Sequence, residues 1–276
     1  MKSSIMCMLL RLAFAMATVF ASLTASADGT NEVAKPTLWL IGDSTVHNNT
    51  RGLQGWGSVI ESYFDRTKTC VTNRALGGRS SRTFFTEGLW EKVRSGLKPG
   101  DFVIMQFGHN DGGSLNSNPT RASLKGIGEE TQEVTLTNGT KQVVHTYGWY
   151  LRTYIREAKE KSATPIVCSL VPRNDWKDGK VLRATNGYGG FAAAVAREEG
   201  VPFIDLNELI ARKYESEGQE VVTKKYFLNE HTHTTPAGAE LNAQSVVEGI
   251  RSLEDCPLVK YLKSPAPANN SATAQK

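Results

Sequence analysis

Thr37-Leu38-Trp39-Leu40-Ile41-Gly42-Asp43-Ser44-Thr45 decides how this chain is read. Thr37–Ile41 is a short, nearly continuous apolar run, the pattern of a strand buried on both faces of a parallel sheet. It stops abruptly at glycine and small polar residues. Four more runs of this kind follow, at Thr69–Asn73, Phe102–Phe107, Pro165–Leu170 and Pro202–Leu206. Helical patterns fall between or after them. Gly57–Phe64 follows the first run, and Trp149–Lys161 carries Leu151, Ile155 and Ala158 on one face. Tyr188–Glu199 is alanine-rich and stops at Gly200, and Asn207–Glu217 is amphipathic. Thr235–Leu253 has Pro236 in its first turn and Val246, Val247 and Ile250 on one face. Strands alternating with helices predict right-handed crossovers and a three-layer α/β/α sandwich. No internal repeat or second core is visible, so residues 36–263 are expected to form one domain.

The ends read differently. Lys2 and Arg11 lead into the uncharged stretch Leu12–Leu23, and Ala25-Ser26-Ala27 offers the small residues of a cleavage site. This is the pattern of a secretory signal over residues 1–27, cleaved before Asp28, and predicts a secreted or periplasmic protein. The apolar run is too short to span a bilayer. Residues 28–35 read as a polar leader and 264–276 as a tail too polar to pack. The chain has 32 basic and 28 acidic residues, and removing Lys2 and Arg11 leaves it close to neutral. With no basic stripe, a nucleic-acid partner is not expected. Cys168 lies in an apolar run and reads as a core thiol. Cys70 and Cys256 could pair, and no C-x-x-C suggests a zinc or thioredoxin-type site. Asn116–His145 breaks the strand–helix rhythm with a polar strand pair near Glu133–Thr137 and Lys141–Val144. Long insertions of this sort are usually functional or mobile.

In an open parallel sheet, ligands bind beyond the carboxyl ends of the strands. Four polar clusters stand there: Gly42–Thr45, Asn73–Ser80, Gly108-His109-Asn110-Asp111, and Glu230-His231-Thr232-His233 before the last helix. Together they hold what acyl transfer needs. Ser44 at a strand-to-helix turn supplies a nucleophile and a backbone N–H, and His233 a base whose pKa suits neutral pH. Glu230, one turn away, can orient the imidazole. Gly78 offers a second N–H, since a missing Cβ permits close approach, and the Asn110 amide a third oxyanion donor.

These blocks resemble the SGNH/GDSL hydrolase superfamily. Asn73–Ser80, Phe107–Ser114, Val171–Trp176 and His231–Ala239 are similar to the rhamnogalacturonan acetylesterases, and His145–Tyr150 to their bacterial branch. The resemblance runs from about Leu38 to about Leu253. It implies a flavodoxin-like, five-stranded parallel sheet and removal of acetyl groups from the rhamnogalacturonan of pectin. It further implies Ser44 as nucleophile, His233 as base, and Ser44, Gly78 and Asn110 as oxyanion hole, with neither metal nor organic cofactor. One departure stands out: the family usually has aspartate three residues before the catalytic histidine, where this chain has Glu230. The expectation is a loop adjusted to the longer side chain; the alternative is a His233 held partly by a backbone carbonyl, in a slower enzyme.

Other polar residues have plainer readings. Asp43 is expected to bond its neighbouring turn or the block around Asn110, and His109 and Asp111 to shape the loop around Asn110. His231 and His233 make an H-x-H, but two ligands alone are a poor zinc site. Arg79, Arg82, Arg173 and Lys177 come from segments at the active edge, where cations suit galacturonate carboxylates. Arg173, Trp176 and His47 are the substrate-binding candidates; structural pairing is the alternative, favoured for Arg79. Trp56 and Trp149 are expected in the core. The expected partner is an acetylated pectic polysaccharide or oligosaccharide, met by a monomer with no membrane contact after signal cleavage. Another acetylated glycan such as xylan, and a carbohydrate-binding homologue impaired at Glu230, are the alternatives.

Overall fold

A computed structural model describes residues 35–264 apart from Asn229. The proposed signal, nearly all of the leader, and the tail apart from Ser264 therefore lie outside the described residues. The first strand, β1 (Thr37–Gly42), is followed by two 3-10 turns, β2 (Cys70–Asn73), helices α1 (Ser81–Thr86) and α2 (Leu89–Arg94), and β3 (Phe102–Gln106). Next come a hairpin of β4 (Thr131–Thr135) and β5 (Lys141–His145), then α3 (Tyr147–Glu160) and β6 (Thr164–Cys168). A short hairpin of β7 (Trp176–Lys177) and β8 (Lys180–Val181) precedes α4 (Tyr188–Glu198) and β9 (Phe203–Ile204). Three helices, α5 (Leu206–Glu217), α6 (Gln219–Tyr226) and α7 (Pro236–Ser252), and a final 3-10 turn complete the described chain.

The five apolar runs form one parallel sheet in the order β2-β1-β3-β6-β9. Successive strand residues point to opposite faces, and both faces are buried. Leu38, Leu40, Ile104, Ile166 and Cys168 pack on one side with Ile210 and Tyr214 of α5, Val222 of α6, and Val246 and Ile250 of α7. Ile41, Val103, Met105 and Val167 pack on the other with Phe84 of α1, Trp90 of α2, Leu151 and Tyr154 of α3, and Val195 of α4. This is the expected three-layer α/β/α sandwich. Strand order reverses direction between β1 and β3, which opens a crevice at their carboxyl ends. Both chains leaving that crevice carry motif residues.

Several elements differ from expectation. Gly57–Phe64 is not an α-helix but two 3-10 turns, Trp56–Ser58 and Ile60–Tyr63. The N–H groups of Trp56 and Gly57 bond Thr45 O and Val46 O. A Cβ on Gly55 would lie 2.3 Å from the Val46 carbonyl carbon, so this segment is pressed against the turn after β1. Strand β9 keeps only Phe203–Ile204, because Asp205 turns to cap α5 by accepting the N–H of Glu208. Helix α3 starts earlier than expected, behind the N-cap Thr146. Helices α1, α2 and α6 were not anticipated; α1 and α2 span six residues each, too few to show a periodicity. Cys168 is buried as expected, while Cys70 and Cys256 are both free thiols.

The insertion over 116–145 is stitched down rather than loose. Its strand pair forms, with Glu133 opposite Val143. Leu124 N–H bonds His145 O, and Tyr147 N–H bonds Leu124 O. Arg82, expected at the active edge, is instead fully buried beneath it. Its guanidinium donates to Leu115 O and Ala122 O at 2.8 Å each and to the Gln142 side chain. A buried cation is held here by carbonyl and amide oxygens rather than by a carboxylate.

Candidate active site

The turn after β1 is shaped by Asp43. Its buried Oδ1 accepts the N–H and hydroxyl of Thr45, at 2.8 and 2.7 Å, and Asp43 O accepts the N–H groups of Val46 and His47. Gly42 has no alternative: a Cβ there would sit 2.5 Å from Gln106 O on the neighbouring strand. The outcome is a single helical turn that lifts Ser44 into the crevice.

Ser44 Oγ lies 2.8 Å from His233 Nε2, and His233 Nδ1 lies 3.1 Å from Glu230 Oε1. A carboxylate on Nδ1 places the imidazole proton there, which leaves the Nε2 lone pair facing the serine hydroxyl. Glu230 reaches this position by folding back over its own loop. Oε2 accepts the Thr232 N–H at 2.9 Å, and Oε1 also accepts the backbone N–H of His233. The loop is tied from outside as well. His231 Nδ1 is 2.7 Å from Asp175 Oδ1, Asn174 N–H bonds His231 O, and Gln54 N–H bonds Thr234 O. His231 therefore fastens the loop.

Gly78, at φ +77°, follows β2 and lines one hollow with the serine, and Asn110 follows β3. The Asn110 amide is held at both ends: Nδ2 donates to Arg79 O at 3.0 Å and Oδ1 accepts from Arg121 Nη1 at 2.9 Å. The neighbouring residues anchor this loop. Asp111 is buried and accepts from the N–H and hydroxyl of Ser81 and from the Ser123 hydroxyl. Burial pushes its carboxyl up to about 7 despite these donors. His109 is partly buried, and loss of water around its imidazole pushes it down against the opposing pull of Asp43.

Ser44, His47, Gly78, Asn110, Arg121 and His233 line one cavity of about 440 Å³, with Asn48–Thr50 at its edge. His47 is held by Nδ1 to Ala75 O at 2.9 Å. Among the substrate-binding candidates only His47 reaches this cavity. Arg173 lies beyond the His233 loop, lining a smaller hollow of about 130 Å³ and sitting 3.4 Å from His231 Nε2. Trp176 packs against the core beside α5 and donates its indole N–H to Asn174. Arg79 is taken up by Glu87 and Gly77 O. Trp56 is fully buried, whereas Trp149 is only partly so and stacks on His145 at 3.7 Å. Arg121 was not anticipated. It lies in the insertion, outside every motif, and no periodic pattern marks it.

The profile of the GDSL-like lipase/acylhydrolase family matches residues 40–241. A rhamnogalacturonan acetylesterase of Emericella nidulans is 34% identical over 214 residues, covering 78% of this chain and 84% of that one. A probable rhamnogalacturonan acetylesterase of Bacillus subtilis, YesY, is 32% identical, covering 78% and 93%. Among solved structures, YxiM of Bacillus subtilis superposes with a TM-score of 0.64 at 27% identity. That alignment covers 79% of this chain but only 57% of the other. The acetylxylan esterase Axe2 of Geobacillus stearothermophilus shares the fold, with a TM-score of 0.51 at 18% identity, covering 79% and 95%. A profile spanning most of the chain and relatives similar over nearly their whole length place it: this chain belongs to the GDSL-like lipase/acylhydrolase family, the SGNH hydrolases, and is an ester-cleaving enzyme.

Proposed function

We propose that the chain is an exported serine esterase that removes O-acetyl groups from rhamnogalacturonan through Ser44, His233 and Glu230. The observation that carries the chemistry is the unbroken line from Ser44 Oγ to His233 Nε2, 2.8 Å, and from Nδ1 to Glu230, 3.1 Å, at the wall of an open cavity. The relatives named as rhamnogalacturonan acetylesterases support the substrate. Export rests on the charged start, short apolar run and Ala25-Ser26-Ala27; a secreted protein whose first residue is Asp28 is the expected product.

In the first half-reaction Ser44 Oγ bonds to the acetyl carbonyl carbon while its proton passes to His233 Nε2. The carbonyl electron pair moves onto oxygen, where the N–H groups of Ser44 and Gly78 and the Asn110 Nδ2–H receive the charge. When the pair returns, the ester C–O bond breaks and the sugar oxygen takes the proton from His233. Water then attacks the acetyl-serine, giving its proton to His233. Acetate departs, and Ser44 recovers the proton. The Glu230 carboxylate stabilises the imidazolium formed in each half.

Acetate release from acetylated rhamnogalacturonan and from acetylated xylan, with wild type and Ser44→Ala, tests this reading. Release from the pectic polymer alone, abolished in the variant, is the expected result. Equal release from xylan overturns the substrate assignment. No release from either polymer, with tight polymer binding, overturns the catalytic one in favour of a carbohydrate-binding protein.

A further inference from the structure

We propose that Arg121 is a positioning residue of the ester-cleaving centre: it locks the Asn110 amide in the one orientation that points an N–H at the oxyanion. The inference rests on the reading of Ser44 and Asn110 given above.

An asparagine side chain presents an acceptor edge and a donor edge, and rotation by half a turn exchanges them. A guanidinium can only donate, and a backbone carbonyl can only accept. Arg121 Nη1 stands 2.9 Å from Asn110 Oδ1, and Arg79 O stands 3.0 Å from Nδ2. Both neighbours select the same rotamer. The flipped amide would set its NH2 against a cation and its oxygen against a carbonyl oxygen. In the selected orientation Arg79 O takes one Nδ2 hydrogen and leaves the other for the substrate. The charge on Arg121 also polarises the amide, so the remaining N–H becomes a stronger donor. Nη1 further lies 3.5 Å from Gly78 O, so one guanidinium spans both residues that follow β2 and β3.

The segment bearing Arg121 is built to hold it still. Its own carbonyl accepts the Ser80 hydroxyl at 2.5 Å, Ala122 O accepts from buried Arg82, and Ser123 N–H bonds Asp111 O at 3.0 Å. Ser80 caps α1 just after Gly78, and Asp111 follows Asn110 directly. The insertion is thus bonded to Ser80, two residues after Gly78, and to Asp111, directly after Asn110. Among the described residues Arg121 makes no ion pair, so its charge is not spent on a carboxylate.

The test is a double-mutant cycle read on two substrates, p-nitrophenyl acetate, which is small and neutral, and acetylated rhamnogalacturonan. R121M is expected to lower kcat about ten- to a hundredfold on both, below the roughly 10²–10³-fold cost of deleting an oxyanion donor outright. KM should stay within about twofold, and R121K should restore part of the loss. In an N110A background the same R121M change is expected to cost less than about threefold, because a residue acting through Asn110 has nothing left to act on. An equal loss with and without Asn110 overturns the proposal. So does a change confined to KM on the anionic polymer, which would make Arg121 a contact for a substrate carboxylate. R121Q carries the same cycle if R121M does not fold. Full turnover of p-nitrophenyl acetate by S44A would instead refute the centre itself, separately from the role of Arg121.

Discussion

Glu230 and His233 are joined twice: the glutamate carboxylate stands 3.1 Å from the imidazole Nδ1 and also accepts the backbone N–H of the same histidine. The extra methylene relative to aspartate is absorbed by the side chain curling over the loop, with Thr232 N–H as a further anchor. One carboxylate thereby orients the ring and fixes the backbone that carries it.

The backbone is fitted to glutamate, so restoring the family's aspartate should not help. Glu230→Asp is expected to lower kcat about tenfold, since a carboxylate drawn back by roughly an ångström loses the ring or the N–H pair. Glu230→Ala should cost about 10²- to 10⁴-fold in kcat, in line with removal of a triad orienter. Steady-state kinetics on p-nitrophenyl acetate measure both. An alanine variant with full turnover removes Glu230 from the mechanism.

Asp111 should make stability depend on pH. Burial raises its folded carboxyl from 3.8 to about 7, while the unfolded chain ionises near the ordinary value. Between these values the folded state binds the proton and the unfolded state does not, so this group's contribution falls as pH rises from about 4 to about 7 and is flat beyond. Melting temperatures of wild type and Asp111→Asn, measured from pH 5 to pH 8, should show the wild type losing ground relative to the variant. Parallel curves would show that Asp111 is ionised when folded.

Arg82 should be worth more to the fold than any surface cation. Its removal leaves Leu115 O, Ala122 O and the Gln142 oxygen without their donor beneath the insertion. Arg82→Met is expected to destabilise by about 3–5 kcal/mol in urea unfolding, the range for breaking a buried charged network. Limited proteolysis of the variant should cut first within 116–145. A loss under about 1 kcal/mol would show that the insertion is held by other contacts.

Thiol reactivity should separate the cysteines. Cys70 is exposed, whereas Cys168 and Cys256 are buried and burial raises the pKa of both thiols. In protein beginning at Asp28, a disulfide reagent should titrate one thiol natively and three in urea. None in the native protein, and only one in urea until a reductant is added, would indicate a Cys70–Cys256 bridge.

The five sheet strands and the residues Ser44, Gly78, Asn110, Glu230 and His233 were legible in the sequence because each is a local signal. An apolar run of five residues reads as a buried strand wherever it lies, and the polar clusters follow directly at strand ends or just before the last helix. Short elements escaped for the converse reason: α1 is announced only by the Ser80–Thr83 capping box, and six residues cannot display a helical period. The cations were beyond local reading altogether. Arg82, Arg121 and Arg173 look alike as letters, yet one is buried under the insertion, one lines the cavity and one lies behind the His233 loop. Their places depend on crossovers that bring residues distant in the chain together, as Ser44 meets His233 across 189 positions. An arginine's long side chain takes its role from whichever carbonyl, amide or carboxylate the folded chain sets within its reach. For this protein the sequence by itself determined the sheet and the polar residues that stand at its carboxyl edge, and only the tertiary structure decided which charges surround them.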